Sequence, residues 1–162
     1  FNNRKDYKYY EKVNEILLKL SRHNSSILDV GGWKGEFISS VKGFPYKTVT
    51  DLHKRPKDFN KNIKFISGDF LKLNYKKYDI VVCLQVLEHI DHDIVKKFTQ
   101  KLFQVGKTVI ISVPYKWELG KCKYHVHDPV DESKLYSWTK RYPKKTWIIT
   151  EKNGVKRLIA LY

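Results

Sequence analysis

The sequence predicts an α/β fold: a seven-stranded, mostly parallel, doubly wound sheet with helices on both faces and a C-terminal antiparallel hairpin. Short apolar runs typical of β-strands alternate with helical segments, as in parallel strands joined by right-handed crossovers. Residues 78–84 are almost continuously apolar, which is expected of a strand covered on both faces. Near the end, two strand-like runs are joined through Asn153-Gly154, a strong hairpin signal.

The elements follow from the spacing of apolar residues. Val13, Ile16, Leu17 and Leu20 share one face of a helix, which predicts a first helix over residues 5–21. The remaining predicted elements are, in chain order, strand 26–30, helix 36–41, strand 46–50, strand 63–66, strand 78–84, helix 93–103, strand 107–113, helix 131–138, and the hairpin strands 146–150 and 155–161.

Two connections are short for this architecture. Segments 50–61 and 69–77 leave little room for full crossover helices, so we expect abbreviated helices and a comparatively open acceptor pocket. Asp131 or Ser133 is expected to cap the helix that begins there.

Length and composition indicate an ordinary globular protein. The 162 residues fit a single domain, 1–162, with 41% hydrophobic and 30% charged residues. No apolar run reaches the ~18–20 residues that a membrane span needs, so no membrane association is predicted. Two cysteines exclude a disulfide framework, and we expect a reduced, cytoplasmic location.

The formal net charge of +15 raises the possibility of a polyanionic partner. The basic residues are mostly lysines, however, and they are spread along the whole chain. That distribution suits a solvated surface better than a binding stripe. Nucleic acid is therefore an open but not a favoured partner, and the oligomeric state is not predicted.

The turn after the first strand has the composition of a nucleotide-binding turn. Gly31, Gly32 and Gly35 let the backbone turn sharply and let a ligand approach closely. Asp51 follows Asp29 by about 20 residues and ends the second strand, where a carboxylate can accept both hydroxyls of a ribose. This combination fits an NAD enzyme and a methyltransferase equally.

Two further segments separate these alternatives. Asp69-Phe70 ends the third strand with a carboxylate beside an aromatic ring, which suits an adenine amino group and its ring face. The segment 78–90 then reads YDIVVCLQVLEHI. In this order the motifs of residues 26–114 resemble those of class I S-adenosylmethionine-dependent methyltransferases, especially the branch whose fourth motif ends in LEH. A dehydrogenase would carry GxGxxG, which this chain lacks.

The resemblance implies S-adenosyl-L-methionine as cofactor and assigns its binding residues. It places the methionine part near the first turn and the end of the fourth strand, the ribose on Asp51, and the adenine at Asp69 and Phe70. Trp33 departs from the family, which usually has glycine there, and can cap the cofactor, narrow the acceptor pocket or pack on the first helix. The complete cofactor-binding set is Asp29, Gly31, Gly32, Trp33, Gly35, Asp51, Leu52, Asp69, Phe70, Leu84 and Gln85.

Three histidines are the candidate catalytic residues. His89 follows the fourth strand at the edge where such sheets bind ligands, so it can act as a general base or satisfy a helix terminus. His125 and His127 lie in the loop after the fifth strand and, in an extended loop, would share a face.

The same histidines, with Glu88 and His92, resemble a metal site. Plant-type small-RNA 2′-O-methyltransferases hold a divalent ion with an ExxEH segment and a downstream histidine. Here Gln85 replaces the first glutamate, which removes one anionic ligand, so no metal is predicted.

The predicted function is therefore transfer of a methyl group to an oxygen or nitrogen atom of a small molecule or glycan. The alternatives are an RNA methyltransferase, with or without metal assistance at the 2′-oxygen, and a non-catalytic cofactor-binding domain.

Overall fold

A computed structural model describes residues 7–162. It contains one seven-stranded sheet in the order β3-β2-β1-β4-β5-β7-β6, in which β1 to β5 are parallel and the last two strands are antiparallel. The elements are α1 (Lys8–Leu20), β1 (Ser26–Val30), α2 (Glu36–Ser40), β2 (Tyr46–Asp51), β3 (Lys64–Ser67), β4 (Tyr78–Leu84), a 3₁₀ turn (Leu87–His89), α3 (Val95–Val105), β5 (Gly106–Pro114), α4 (Glu132–Thr139), β6 (Lys145–Thr150) and β7 (Lys156–Leu161). The predicted fold is confirmed. Residues 5 and 6, within the predicted first helix, lie outside the described part of the chain.

The central strand β4 shows why its sequence is apolar throughout. Ile80 and Val82 pack with α1 and α2 on one face, whereas Val81 and Cys83 pack with α3 and α4 on the other. Both faces of the sheet are thus covered by helices, and alternation of polar and apolar residues is lost because neither face of this strand meets water.

The crossovers from β2 to β3 and from β3 to β4 contain no helix in the described chain. Aromatic side chains cover the sheet there instead. Phe59 is buried with its ring centroid 5.0 Å from that of Phe65, and Phe70 packs 4.9 Å from Phe98 on the opposite face. The expectation of abbreviated helices in these two segments is confirmed.

The terminal hairpin brings the start of β7 to the carboxyl edge of the parallel strands. Its turn is tight, with Gly154 at φ +80°. Because β7 is antiparallel to β5, Arg157 near its beginning lies opposite Pro114 at the end of β5. Upstream, Asp131 caps α4 by accepting a hydrogen bond from the Lys134 backbone N–H at 2.8 Å. Within residues 7–162, no helix is both long and apolar enough to cross a membrane.

Candidate functional site

The turn after β1 is held tightly against the neighbouring strands. Gly31 has φ +78°, and its N–H donates to the Thr50 carbonyl at 2.8 Å. A Cβ at this position would lie 2.5 Å from Val86 Cγ2. At Gly35, with φ +69°, a Cβ would lie 2.7 Å from the ring of Phe59. Both positions therefore require glycine for conformation and for space.

Asp29 is a buried carboxylate at this turn. Its exposed fraction is 3%, and Oδ2 has no hydrogen-bond partner among the described residues. Burial, and secondarily the negative charge of Asp51, raises the pKa of Asp29 to about 7. Gly32 leaves the space beside it, since a Cβ there would lie 2.5 Å from Oδ2. Asp29 is thus suited to receive a cation or a hydrogen-bond donor from a ligand.

Asp51, by contrast, accepts hydrogen bonds from residues near it. Oδ2 accepts from the Trp33 N–H at 3.0 Å, and Oδ1 accepts from the His53 N–H at 2.9 Å and lies 2.7 Å from His53 Nδ1. The ring centroids of Trp33 and His53 are 5.2 Å apart, and the Asp51 side chain is only 9% exposed. Trp33 adopts φ +31° and Leu52 points largely into solvent. Trp33 therefore shapes the corner assigned to the ribose.

Asp69 and Phe70, which follow β3, differ in how far their side chains are exposed. Asp69 accepts the Leu71 N–H at 2.9 Å and lies 3.7 Å from Lys72 Nζ, but its side chain remains 38% exposed. Phe70 is 5% exposed because its ring packs in the core against Phe98. The carboxylate is accessible at the edge, whereas the ring offers a ligand little surface.

At the end of β4, Leu84 is buried on the α1 side of the sheet and Gln85 turns away from the strand. Gln85 has φ +57°, a region that disfavours a non-glycine residue. Its N–H donates to the Ser112 carbonyl at 2.9 Å and its Nε2 to Ser112 Oγ at 3.1 Å. Gln85 Oε1 accepts a hydrogen bond from the Arg157 guanidinium.

A cavity of about 260 Å³ begins beside Gln85. Its walls are aromatic, and polar atoms come from two histidines, a buried glutamate and an arginine. The residues that line the cavity include Tyr7, Tyr9, Trp117, Glu88, His89, His125 and Arg157. An apolar cavity with a few converging polar groups is the usual form of a small-molecule site.

Hydrogen bonds fix the tautomers of the two histidines in this cavity. His89 Nδ1 lies 2.9 Å from the Tyr124 carbonyl, and His125 Nδ1 lies 2.8 Å from Asp128 Oδ2. The Tyr124 carbonyl and the Asp128 carboxylate accept these hydrogen bonds, so each Nδ1 is the donor, and in the neutral ring Nε2 then carries the lone pair. The rings are 4.8 Å apart, so the structure brings these two predicted residues together.

His127 lies elsewhere and does not share a face with His125. Its Nε2 is 2.6 Å from the Ile90 carbonyl, and its ring packs 4.2 Å from His92 and 4.7 Å from Trp138. The ring is buried, and burial lowers the pKa of His127. His127 is not among the described residues that line the cavity, because the loop is not extended between the two histidines.

Glu88, His89 and His125 each offer a ligand atom, and these atoms lie within 4.8 Å of one another. Two imidazole nitrogens and a carboxylate oxygen suit a divalent transition metal. The guanidinium of Arg157 on Gln85, however, places a positive charge where the metal-dependent enzymes have a glutamate. That charge opposes cation binding.

Sequence reasoning did not identify Arg157, Trp117 or Tyr7 as site residues. The hairpin signal alone did not place Arg157, because it does not tell whether β6 or β7 pairs with β5; since β7 does so antiparallel, its start lies at the carboxyl edge. The position of Trp117 depends on its indole N–H donating to the Lys156 carbonyl at 3.0 Å, which no local pattern predicts.

Comparison with known proteins identifies the family of the chain. A family model described as a methyltransferase domain matches residues 1–142. No curated protein matches the sequence. Among solved structures, the chain is similar to the Burkholderia thailandensis 1,6-didemethyltoxoflavin-N1-methyltransferase, with a TM-score of 0.78, 14% identity, and coverage of 99% of this chain and 78% of that chain.

Two other similar structures are covered almost completely. The N-methyltransferase NodS from Bradyrhizobium japonicum, solved with S-adenosyl-L-homocysteine, has a TM-score of 0.74 and 16% identity, with coverage of 99% of this chain and 91% of that chain. The methyltransferase domain of bacterial CtHen1-C has a TM-score of 0.73 and 18% identity, with coverage of 99% and 97%. The chain thus belongs to the methyltransferase domain family and is an S-adenosyl-L-methionine-dependent methyltransferase of the Rossmann-like class.

Proposed function

We propose that the chain transfers a methyl group to an oxygen or nitrogen atom of a small molecule or glycan that binds in the cavity beside His89. The observation that carries this proposal is the tautomer of His89. Its Nδ1 proton is committed to the Tyr124 carbonyl, so Nε2 is the basic nitrogen in an aromatic cavity next to Gln85.

The cofactor supplies a methyl carbon made electrophilic by its bond to a sulfonium. Asp29 would hold the cationic amino group of the methionine part, because its buried Oδ2 has no other donor in the described chain. Asp51 would accept the ribose hydroxyls and Asp69 the adenine amino group. Leu84 and Gln85 would line the methionine side, at the turn that follows β4.

The chain's own contribution to the reaction is alignment and proton removal. His89 Nε2 would take the proton of an acceptor hydroxyl, and the acceptor oxygen would receive the methyl group that the bound cofactor would supply. Tyr7, Tyr9 and Trp117 would supply apolar contact area to the acceptor. His125 lies beside His89 and is kept in its tautomer by Asp128.

The names of similar structures support a small-molecule acceptor. One of them is an N1-methyltransferase solved with 1,6-didemethyltoxoflavin, and others are the N-methyltransferase NodS and a magnesium protoporphyrin IX methyltransferase from Synechocystis. At about 260 Å³ the cavity is slightly smaller than the ~300–1,000 Å³ typical of ligand sites.

The test is transfer of label from methyl-labelled S-adenosyl-L-methionine to a panel of phenols, amines, sugars and oligosaccharides. We expect a labelled small product and a loss of at least ~100-fold in its rate of formation for His89→Gln, the usual contribution of a general base. His23→Gln, a change at an exposed histidine before β1, is the matched control. An unchanged rate in His89→Gln would remove the assigned base.

A second candidate is a metal-assisted RNA 2′-O-methyltransferase. The cluster of Glu88, His89 and His125, which could hold a divalent ion, is the observation that favours it. Calorimetric titration with Mn²⁺ tests it directly. Binding that is lost in His125→Ala, together with label transfer to RNA, would support this candidate, whereas no Mn²⁺ binding and no labelled RNA would exclude it.

A further inference from the structure

Gln85 holds a backbone conformation that needs support. At φ +57° a residue with a Cβ is strained, so contacts around it must stabilise that geometry. Ser112 provides two of these contacts, through its carbonyl and its hydroxyl. The third comes from the guanidinium of Arg157, which donates to Gln85 Oε1. Three hydrogen bonds, two from the side chain and one from the backbone N–H, therefore hold Gln85 in this conformation.

Arg157 is an unusual residue for its place in the sheet. It lies in β7 with an exposed fraction of 9%, and its guanidinium carbon is 4.7 Å from the ring centroid of Tyr9, 5.3 Å from Tyr7 and 5.5 Å from Trp117. Taking a guanidinium out of water is costly, and apolar residues at such positions often give equal or greater stability. Stability of the hairpin alone does not account for an arginine here.

The same guanidinium connects Gln85 to the start of α1. Arg157 Nε lies 3.6 Å from Glu151 Oε1, and both are buried. Glu151 accepts hydrogen bonds from the N–H groups of Lys8 at 2.9 Å and Tyr9 at 3.2 Å. Both N–H groups belong to the first turn of α1, so the Glu151 carboxylate caps this helix. Three segments that are distant in sequence thus meet at one arginine.

We infer that Arg157 is a positioning residue for methyl transfer. It holds the Gln85 side chain and backbone in the conformation that presents the end of β4 to the methionine part of the cofactor. It also ties this conformation to the docking of α1, whose Tyr9 forms a wall of the acceptor cavity. The inference rests on the proposed function, because Gln85 is assigned to the cofactor there.

A double-mutant cycle on cofactor affinity tests this role. The affinity for S-adenosyl-L-homocysteine is measured by calorimetry for the wild type, Arg157→Met, Gln85→Gly and the double variant. Loss of a hydrogen bond from a charged donor predicts about a tenfold weaker binding in Arg157→Met. In the Gln85→Gly background, where glycine adopts φ +57° unaided, the same substitution should change the affinity less than about twofold.

Controls separate positioning from folding. Arg141→Met also removes a guanidinium that lies over an aromatic ring, 4.4 Å from the Phe103 centroid, but at a distance from Gln85 in the fold, and it should leave the affinity unchanged. If Arg157→Met does not fold, Arg157→Lys replaces it, since lysine keeps the charge but not the planar donor geometry.

The outcomes are distinct. Equal losses in both backgrounds, or no loss in Arg157→Met, overturn the inference while leaving the proposed function intact. Absence of binding by the wild type overturns the proposed function itself.

Discussion

Asp29 and Asp51 lie at the ends of adjacent parallel strands, but their hydrogen bonding differs. Asp51 accepts hydrogen bonds from its neighbours on both oxygens, whereas Asp29 Oδ2 has no partner among the described residues. Both are largely shielded from water. Neighbouring residues thus satisfy the hydrogen-bonding capacity of Asp51, whereas Asp29 Oδ2 can accept a hydrogen bond from a ligand.

This difference predicts that Asp29 and Asp51 contribute unequally to the free energy of ligand binding. A ligand group that reaches Asp29 gains a hydrogen bond without breaking one to another described residue, and burial has already removed much of the carboxylate's solvation. A ribose that reaches Asp51 must replace the ring of His53, so its net gain is smaller. We therefore expect Asp29 to contribute more to cofactor affinity than Asp51, although both occupy family positions.

Removing the charge of Asp29 should have the largest effect. At pH 8 its carboxyl, with a pKa of about 7, is mostly ionised and can pair with the cationic amino group of the cofactor. Asp29→Asn should weaken the binding of S-adenosyl-L-homocysteine about a hundredfold at that pH, the scale of a broken buried charge pair. Calorimetry at pH 6, 7 and 8 should show wild-type affinity falling as the pH drops and Asp29 becomes protonated, with a much flatter profile in the variant.

The stability of the ligand-free variant supplies the control. Because folding raises the pKa of Asp29, its contribution to stability is present at low pH and is lost as the pH rises through about 7. Asp29→Asn should therefore unfold at a higher temperature than the wild type at pH 8, and the gap should narrow towards pH 4. A variant that is less stable at pH 8 would contradict the account of this carboxylate.

Filling the space beside Asp29 should have the next largest effect. In Gly32→Ala the new Cβ meets Oδ2 at 2.5 Å, so the carboxylate must shift. We expect about a tenfold loss of cofactor affinity, equivalent to a moderate overpacking cost. Gly154→Ala is the control: its φ of +80° makes alanine cost stability, but nothing lies within 4 Å of the new Cβ, so it should bind as the wild type does. Equal affinities in both variants would show that this space is not used.

Neutralising Asp51 should cost less than neutralising Asp29. Asp51→Asn keeps one acceptor oxygen, and the wild-type carboxylate must give up existing bonds to accept a ribose. We expect about a fivefold loss in calorimetric affinity, close to one net hydrogen bond. The comparison fails if this variant loses more affinity than Asp29→Asn.

The smallest effect is expected at His53. Its ring is 66% exposed and competes with a ribose for Asp51 Oδ1, so His53→Ala should strengthen cofactor binding slightly, by at most about twofold. The difference in tryptophan fluorescence quenching between the wild type and Trp33→Phe, on titration with the cofactor, reports on the same position. Weaker binding in His53→Ala would mean that the ring contacts the cofactor instead.

Much of the fold could be predicted because its signals are local. The apolar run of β4 and the Asn153-Gly154 turn each specify an element, and the bounds of β4 agree residue for residue with the prediction. Segment length predicted abbreviated crossover helices, and the described chain has no helix in either segment. The aromatic residues that replace them, Phe59 and Phe70, were not predicted in that role, because their partners are distant in sequence.

The site was predictable only to the level of which residues reach the edge. His89 and His125 were named from their positions after β4 and β5, and the structure brings their rings together. His127 was grouped with them because an extended loop would align alternate residues, but its ring packs instead against Trp138. Arg157 was missed because its approach to Gln85 requires the order β5-β7-β6, which a hairpin signal does not give.

The central claim is that this carboxyl edge binds S-adenosyl-L-methionine. The most direct test is calorimetric titration of the wild-type chain at pH 8 with S-adenosyl-L-methionine, S-adenosyl-L-homocysteine and, as a rival dinucleotide, NAD. The structure predicts one site that binds the first two ligands and not the third. No heat with either S-adenosyl compound from the folded chain, or binding of NAD instead, would contradict the account.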